Sequence, residues 1–211
     1  MIAHLILRDT ARGLRAAGLP VVFFLIAATL FPFAVGPDAR LLAKAGGGML
    51  WLAALLAALL PIERLVAPDA DAGVLDQFAA RGIADEGVAA AKIAAHWLAF
   101  GPPLMLAALP GAALLGLDAP TLGRLEAGLV IGTPALAALA VTVAALTAGL
   151  RGAGALAGLV LLPLAVPLLI FGAGALEPGD TQALKLLAAT ALLLTFGAPF
   201  AAGAALRSHR D

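Results

Sequence analysis

The sequence predicts an all-α integral membrane protein with six transmembrane helices, and three observations carry that prediction. Hydrophobic residues make up 63% and charged residues 12% of the 211 positions, whereas soluble domains carry about 25% charged residues. Six stretches lack charged side chains and are long enough to cross a hydrocarbon core of about 30 Å. With 24 glycines, we expect the helices to meet through close packing of small residues. The single transmembrane domain, residues 1–211, should have spans at about 19–36, 45–62, 93–117, 127–150, 153–176 and 186–206.

The segment 1–17 before the first span has the pattern of an amphipathic helix. At 100° per residue, three bases fall in one narrow arc, while the apolar residues fall elsewhere. The bases are Arg8, Arg12 and Arg15, and the apolar residues are Ile2, Ala3, Ile6, Leu7, Leu14 and Ala17. This pattern is typical of a helix that lies in the membrane surface. A signal peptide is the alternative, although the leading segment is long and no clean A-x-A cleavage site follows Val35.

The basic residues of the connections predict the orientation in the membrane. Cytoplasmic loops carry an excess of lysine and arginine. With both termini in the cytoplasm, the inner set is Arg8, Arg12, Arg15, Arg64, Arg81, Lys92, Arg151, Arg207 and Arg210. The outer set is smaller: Arg40, Lys44, Arg124 and Lys185. We therefore expect cytoplasmic N- and C-termini, with the segment 63–92 also in the cytoplasm.

The segment 63–92 is the long polar stretch of an otherwise apolar chain. Four residues near its centre, within 72–81, share one helical stripe: Val74, Leu75, Phe78 and Ala79. We expect a short helix here, capped at its start by Asp69 or Asp71 and closed by Gly82. The hypothesis is that this helix docks onto a cytoplasmic partner that supplies energy. The alternative is a solvated loop without a partner.

Several kinds of chemistry are missing from the sequence. There is no cysteine, the only serine is Ser208, and neither H-E-x-x-H nor a G-x-x-x-x-G-K-[ST] phosphate loop occurs. No charged residue lies near the middle of a predicted span, which argues against a carrier driven by an ion gradient. A net charge of zero gives no indication of nucleic-acid binding. We therefore expect no catalytic or metal site and no enzymatic activity, and any ATPase must be another chain.

The histidines and tryptophans are the remaining candidates for a site. His4 and His209 lie at the chain ends and are expected to be solvated. His96 lies four residues into the third span beside Trp97, where it could ligate a metal or haem iron, or donate a hydrogen bond at the interface. Trp51 and Trp97 fit the role of anchors at the membrane interface better than that of a cofactor site.

Five stretches of the sequence resemble one family. They are FFLIAATLFPFAVGP at 23–37, ERL at 63–65, G-x-L-[DE]-Q at 73–77, K-x-x-x-H-W at 92–97 and LPLAVPLLIF at 162–171. Together they resemble CcmB, the haem exporter protein B family of bacterial cytochrome c maturation. The likeness covers nearly the whole chain, and the first and last stretches are its most specific parts.

The resemblance implies an ABC-type permease in the bacterial inner membrane. Its implied partners are the ATPase CcmA, the haem-handling proteins CcmC and CcmD, and the periplasmic haem chaperone CcmE. ATP would be bound by the partner, haem would be the substrate of the complex, and this chain would hold no cofactor firmly. The expected ATPase-binding residues are Gly73, Val74, Leu75, Asp76, Gln77 and Phe78, with His96 and Trp97 as candidates for a haem or interface role. The alternative function is a membrane scaffold that transports nothing.

Overall fold

Helices make up nearly all of the computed structural model, which describes residues 2–36, 38–150, 153–179 and 181–208. They are α1 (Ile2–Ala16), α2 (Gly18–Val35), α3 (Ala39–Leu59), α4 (Ala67–Asp71), α5 (Val74–Ala80), α6 (Asp85–Leu114), α7 (Ala119–Thr147), α8 (Ala153–Gly174) and α9 (Thr181–Ser208). A 3-10 turn spans Ile62–Arg64. No strand occurs within these ranges, so the predicted all-α class is confirmed.

Among the described residues, six helical stretches are long and apolar enough to cross a membrane, which agrees with the predicted number. They correspond to α2, α6, α7, α8 and α9, and to a stretch that begins with α3 and runs to Asp71. Four helices begin five or more residues before the predicted spans. They are α3 at Ala39 rather than 45, α6 at Asp85 rather than 93, α7 at Ala119 rather than 127 and α9 at Thr181 rather than 186. Charged side chains end a membrane span, but they do not end a helix. Acidic residues such as Asp85 and Glu86 even favour a helix start.

The connections between the helices define two ends of the bundle. One end, the N-terminal face, holds α1, the segment 60–84, the start of α8 and the end of α9. Three contacts bring these parts together: Lys92 with Asp9, Glu63 with Gly154, and Arg207 with Glu86. The other end, the opposite face, holds the connections α2–α3, α6–α7 and α8–α9. Of the residues used in the sequence analysis, Pro37, Arg151, His209 and Arg210 lie outside the described part.

The centre of the bundle is built around Trp51 of α3, which is fully buried. A Cβ atom added to Gly132 of α7 or Gly172 of α8 would lie only 2.5 Å from the indole ring. The absence of these Cβ atoms therefore creates the space for the ring. The expected packing through small residues is confirmed here, whereas the expected role of Trp51 as an interfacial anchor was wrong, because the glycines of other helices provide an interior site for it.

Helix α1 packs against α6. A Cβ atom added to Gly13 would lie 2.6 Å from the Cβ atom of Ala99, so this glycine permits the close approach of the two helices. Leu5 of α1 is buried in the core as well. The predicted N-terminal helix is thus confirmed as a helix, and its contact with α6 is new. Its location in the membrane surface stays a prediction.

Candidate functional site

The short helix predicted in the polar segment is present as α5. The chain enters it through Gly73 and leaves it through Gly82, and both glycines have a left-handed backbone, with φ of 66° and 72°. Only glycine adopts this conformation without steric cost, so the two residues set the limits of the helix. Gly82 therefore ends the segment as predicted. The predicted capping by Asp69 or Asp71 was wrong, because Gly73 occupies the N-cap position and both acids belong to α4.

The apolar stripe of α5 faces the bundle. Leu75 is 6% exposed and belongs to the hydrophobic core, and Phe78 is partly buried and packs against that core. The exposed residues of the helix are Asp76, Gln77 and Ala80. The six residues expected to bind a partner thus lie together, but only two of them, Asp76 and Gln77, offer an exposed surface. Leu75 and Phe78 hold the helix on the membrane domain.

Five charged residues form a cluster that joins three helices. The charged cluster consists of Arg8, Asp9 and Arg12 of α1, Asp69 of α4 and Lys92 of α6. The Lys92 Nζ atom lies 2.5 Å from Asp69 Oδ2 and 3.2 Å from Asp9 Oδ2, and it donates a third hydrogen bond to the Leu65 carbonyl oxygen at 3.0 Å. Arg8 Nη2 approaches Asp69 Oδ2 to 2.6 Å, and Arg12 Nη1 approaches Asp69 Oδ1 to 3.3 Å.

The charged cluster is important for stability because its central side chains are buried. The Lys92 and Asp69 side chains are only 3% and 5% exposed, so each charge needs the other as a substitute for water. Burial lowers the pKa of Arg8, but the hydrogen bond to Asp9 and the negative charge of Asp69 raise it, and the net pKa lies above the usual guanidinium value. Arg8 therefore keeps its charge. The cluster physically links α4, which directly precedes α5, to α1 and to the long helix α6.

Two further carboxylates join the ends of other helices on the N-terminal face. Glu63 Oε1 accepts a hydrogen bond from the Gly154 backbone N–H at 2.9 Å, at the start of α8. A negative charge at a helix N-terminus is favourable, because the first backbone N–H groups have no partner within the helix. Glu86 accepts a hydrogen bond from Arg207 near the end of α9. The start of α8 is therefore connected to the segment 60–84 directly, and the end of α9 is connected to α6, which follows that segment.

His96 and Trp97 point to different environments. The Trp97 Nε1–H donates to Thr133 Oγ1 at 3.1 Å, which ties α6 to α7. His96 is 7% exposed, and its ring stacks on Phe100 with centroids 5.6 Å apart. Its Nε2 atom is buried without a hydrogen-bond partner among the described residues. The structure does not bring the two side chains together into one ligand set.

A cavity of about 470 Å³ opens beside His96 on the N-terminal face. Its walls are formed by α1, the start of α2, the chain that follows α3, and α6. Its charged lining consists of one acid and four bases: Asp9, Arg12, Arg15, Arg64 and Lys92. Its less polar lining includes Pro20, His96, Ala99 and Phe100. No group of three or more metal-ligating side chains occurs in the described ranges.

Comparison with known proteins decides the family. A family model described as "CcmB protein" matches residues 1–209. The chain belongs to the CcmB family. A relative named "Heme exporter protein B" from Paracoccus denitrificans is 46% identical, with 96% of this chain and 97% of the relative covered. The proteins of the same name from Rhodobacter capsulatus and Escherichia coli K12 are 45% and 40% identical, covering 96% and 89% of this chain and 97% and 88% of the relatives.

Membership of the CcmB family confirms the resemblance seen in the sequence. The family match spans α1, the charged cluster, α5 and all six candidate membrane helices. Within this CcmB-family chain, sequence reasoning located α5 but missed Asp69 and Lys92 as partners. One signal was available, since Lys92 directly precedes an apolar run, where an unpaired charge is costly. The identity of its carboxylate partners was not readable from that signal.

Proposed function

We propose that this protein is the membrane-spanning subunit of an ATP-driven complex for haem export in cytochrome c maturation. The name of its relatives, "Heme exporter protein B", supports haem as the substrate of the complex. A separate ATPase of the CcmA type would supply the energy. CcmC-like and CcmD-like membrane proteins and a CcmE-like periplasmic chaperone would handle haem with it. The complex would lie in the bacterial inner membrane, with both termini of this chain in the cytoplasm.

One observation carries the proposal, namely that α5 is exposed on one side and anchored on the other. Asp76 and Gln77 are free to meet a partner, whereas Leu75 is buried in the membrane domain. A force applied to α5 would pass through the short connection at Gly73 into α4, and from Asp69 into Lys92 of α6. The partner would therefore bind the polar surface of α5, while the apolar stripe and the charged cluster transmit the displacement.

The test places a bulky charge on the exposed side of α5. In Gln77→Arg we expect a loss of about 2 kcal/mol in binding of the ATPase, which is roughly thirtyfold in affinity and typical of a central interface residue. The measurement is co-purification of the ATPase with the membrane subunit, together with ATP hydrolysis by the assembled complex. Leu75→Asp is a poorer test, because it would bury a charge and detach α5 from the bundle.

The matched control is Gln182→Arg, the same change at an exposed position of α9 on the opposite face. We expect this variant to retain the ATPase as the wild type does. If Gln77→Arg and the wild type bound the ATPase equally well, α5 would not be part of the interface. Haem delivery that survives a hydrolysis-deficient ATPase would instead support the scaffold function, in which the chain holds the assembly together and transports nothing.

A further inference from the structure

The cavity on the N-terminal face has an excess of positive charge that the fold does not use. Arg12 belongs to the charged cluster, where Asp9 and Asp69 balance it. Arg15 and Arg64 also line the cavity, and both are exposed. Their side chains form no ion pair with any residue in the described ranges. Two guanidinium groups are thus available to an anion.

The position of the cavity places this anion at the membrane boundary. Pro20 lies in the first turn of α2, Pro61 follows the end of α3, and Phe100 lies within α6. The cavity therefore lies where three candidate spans meet the N-terminal face. On α2, next to Pro20, Leu19 and Val22 are more than half exposed, which suits contact with lipid chains. A ligand here would have an apolar part as well as a negative charge.

His96 is an independent sign of a ligand. The side chain lines the cavity and is 7% exposed, yet its Nε2 atom has no hydrogen-bond partner among the described residues. Buried polar atoms nearly always have a partner, and exceptions call for an explanation. An imidazole nitrogen can donate to, or accept from, an oxygen-rich group that enters the cavity.

We propose that this cavity is a binding site for the head group of an acidic phospholipid. The phosphate lies between Arg15 and Arg64, where charge-assisted hydrogen bonds from guanidinium groups are strongest. The glycerol and ester region lies near His96, and the first methylene groups contact Pro20 and Phe100. Basic pockets between membrane helices bind anionic head groups in this way. A zwitterionic lipid brings its own ammonium group, which the arginines repel.

The site also connects lipid binding with the charged cluster. Arg12 and Lys92 line the cavity and also pair with Asp9 and Asp69, so a bound phosphate changes the field around both carboxylates. The lipid would hold α1 against α6 at the position where Gly13 meets Ala99. This inference goes beyond the proposed function and does not need the ATPase or haem.

The experiment measures lipid retention by the purified full-length chain. The protein is delipidated in detergent and offered equal amounts of phosphatidylglycerol and phosphatidylcholine, and the bound lipid is quantified by native mass spectrometry. We expect preferential retention of phosphatidylglycerol. In Arg15→Gln/Arg64→Gln this preference should fall by about twenty-five-fold, since each basic side chain near a lipid phosphate contributes roughly a factor of five.

The matched control is Arg40→Gln/Lys185→Gln, which removes the same charge from exposed positions on the opposite face. We expect its lipid preference to equal that of the wild type. The proposed site would be contradicted if wild-type protein retained the two lipids equally. It would also be contradicted if both double variants lost the preference for phosphatidylglycerol to the same extent. Because all variants are tested without the ATPase, such a failure would leave the role of α5 untouched.

A second experiment, with haem, distinguishes the two amphipathic anions that could occupy the cavity, namely an acidic phospholipid and haem itself. Haemin is added to the protein with and without phosphatidylglycerol, and the Soret band is compared between wild type and His96→Phe, which keeps an aromatic ring beside Phe100. We expect no Soret change that depends on His96, together with a weaker phosphatidylglycerol preference in His96→Phe. Displacement of the lipid by haemin and loss of the Soret signal in His96→Phe would assign the cavity to haem and overturn the lipid proposal.

Discussion

The charged cluster and the site of Trp51 join distant helices by opposite means. Lys92 and Asp69 connect α6 and α4 through buried charges, and each charge has more than one neighbour of opposite sign. Trp51 connects α3 with α7 and α8 through shape alone, because Gly132 and Gly172 leave room for its ring. The first contact depends on electrostatic balance, and the second depends on the absence of two Cβ atoms.

This difference separates an adjustable region from a rigid one. Within the charged cluster, three cations face two carboxylates, so a small displacement of α4 still leaves Asp69 and Asp9 with partners. The buried Trp51 ring between its glycines has no second position with equally good packing, since densely packed interiors do not deform continuously. If α5 is displaced, the charged cluster can therefore rearrange without losing its ion pairs. The rigidly packed helices around Trp51 would then move as whole units.

The largest loss of stability is expected when the charged cluster loses its central acid, Asp69. Asp69→Ala leaves the buried Lys92 ammonium with Asp9 as its remaining carboxylate partner, and removing one member of a buried pair costs up to about 3–5 kcal/mol. The measurement is thermal unfolding of the purified protein in detergent. Asp71→Ala, an exposed acid on the same short helix, is the control and should change stability little. A wild-type unfolding temperature in Asp69→Ala would mean that the cluster does not hold these helices together.

A smaller loss of stability is expected from a substitution beside Trp51 at the centre of the bundle. Gly172→Ala places a methyl group 2.5 Å from the Trp51 ring, and overpacking of this kind costs about 1–3 kcal/mol. Gly158→Ala on the same helix is the control, because its added Cβ atom meets nothing within 4 Å. Unfolding in detergent compares the two variants directly. If both are equally stable, Trp51 has more freedom than its position between glycines indicates.

The features predicted from sequence were those with a local signal. Charge-free stretches of sufficient length marked the six membrane helices, and the pattern between Gly73 and Gly82 marked α5. In both cases the physical cause lies within a few residues of the feature. At α3, α6, α7 and α9 the helix begins before the predicted span, because a charge marks the edge of the hydrocarbon core and not the end of a helix.

The missed features depend on residues far apart in the chain. Lys92 pairs with Asp9 across 83 positions, and nothing in a single sequence marks that pair. The stripe of α5 revealed an apolar face, but whether the membrane domain or a partner covers Leu75 depends on the fold. Trp51 was misplaced for the same reason, since its site is made by Gly132 and Gly172 of other helices.

The side of the membrane on which α5 lies tests the central claim most directly. The chain has no cysteine, so Gln77→Cys and Gln182→Cys each give a single labelling site on an exposed residue. A maleimide that cannot cross the membrane is added to spheroplasts and, separately, to lysed cells. We predict that Gln182→Cys is labelled in both samples and Gln77→Cys only after lysis. Labelling of Gln77→Cys in intact spheroplasts would place α5 outside the cytoplasm and contradict its role as the contact for an ATPase.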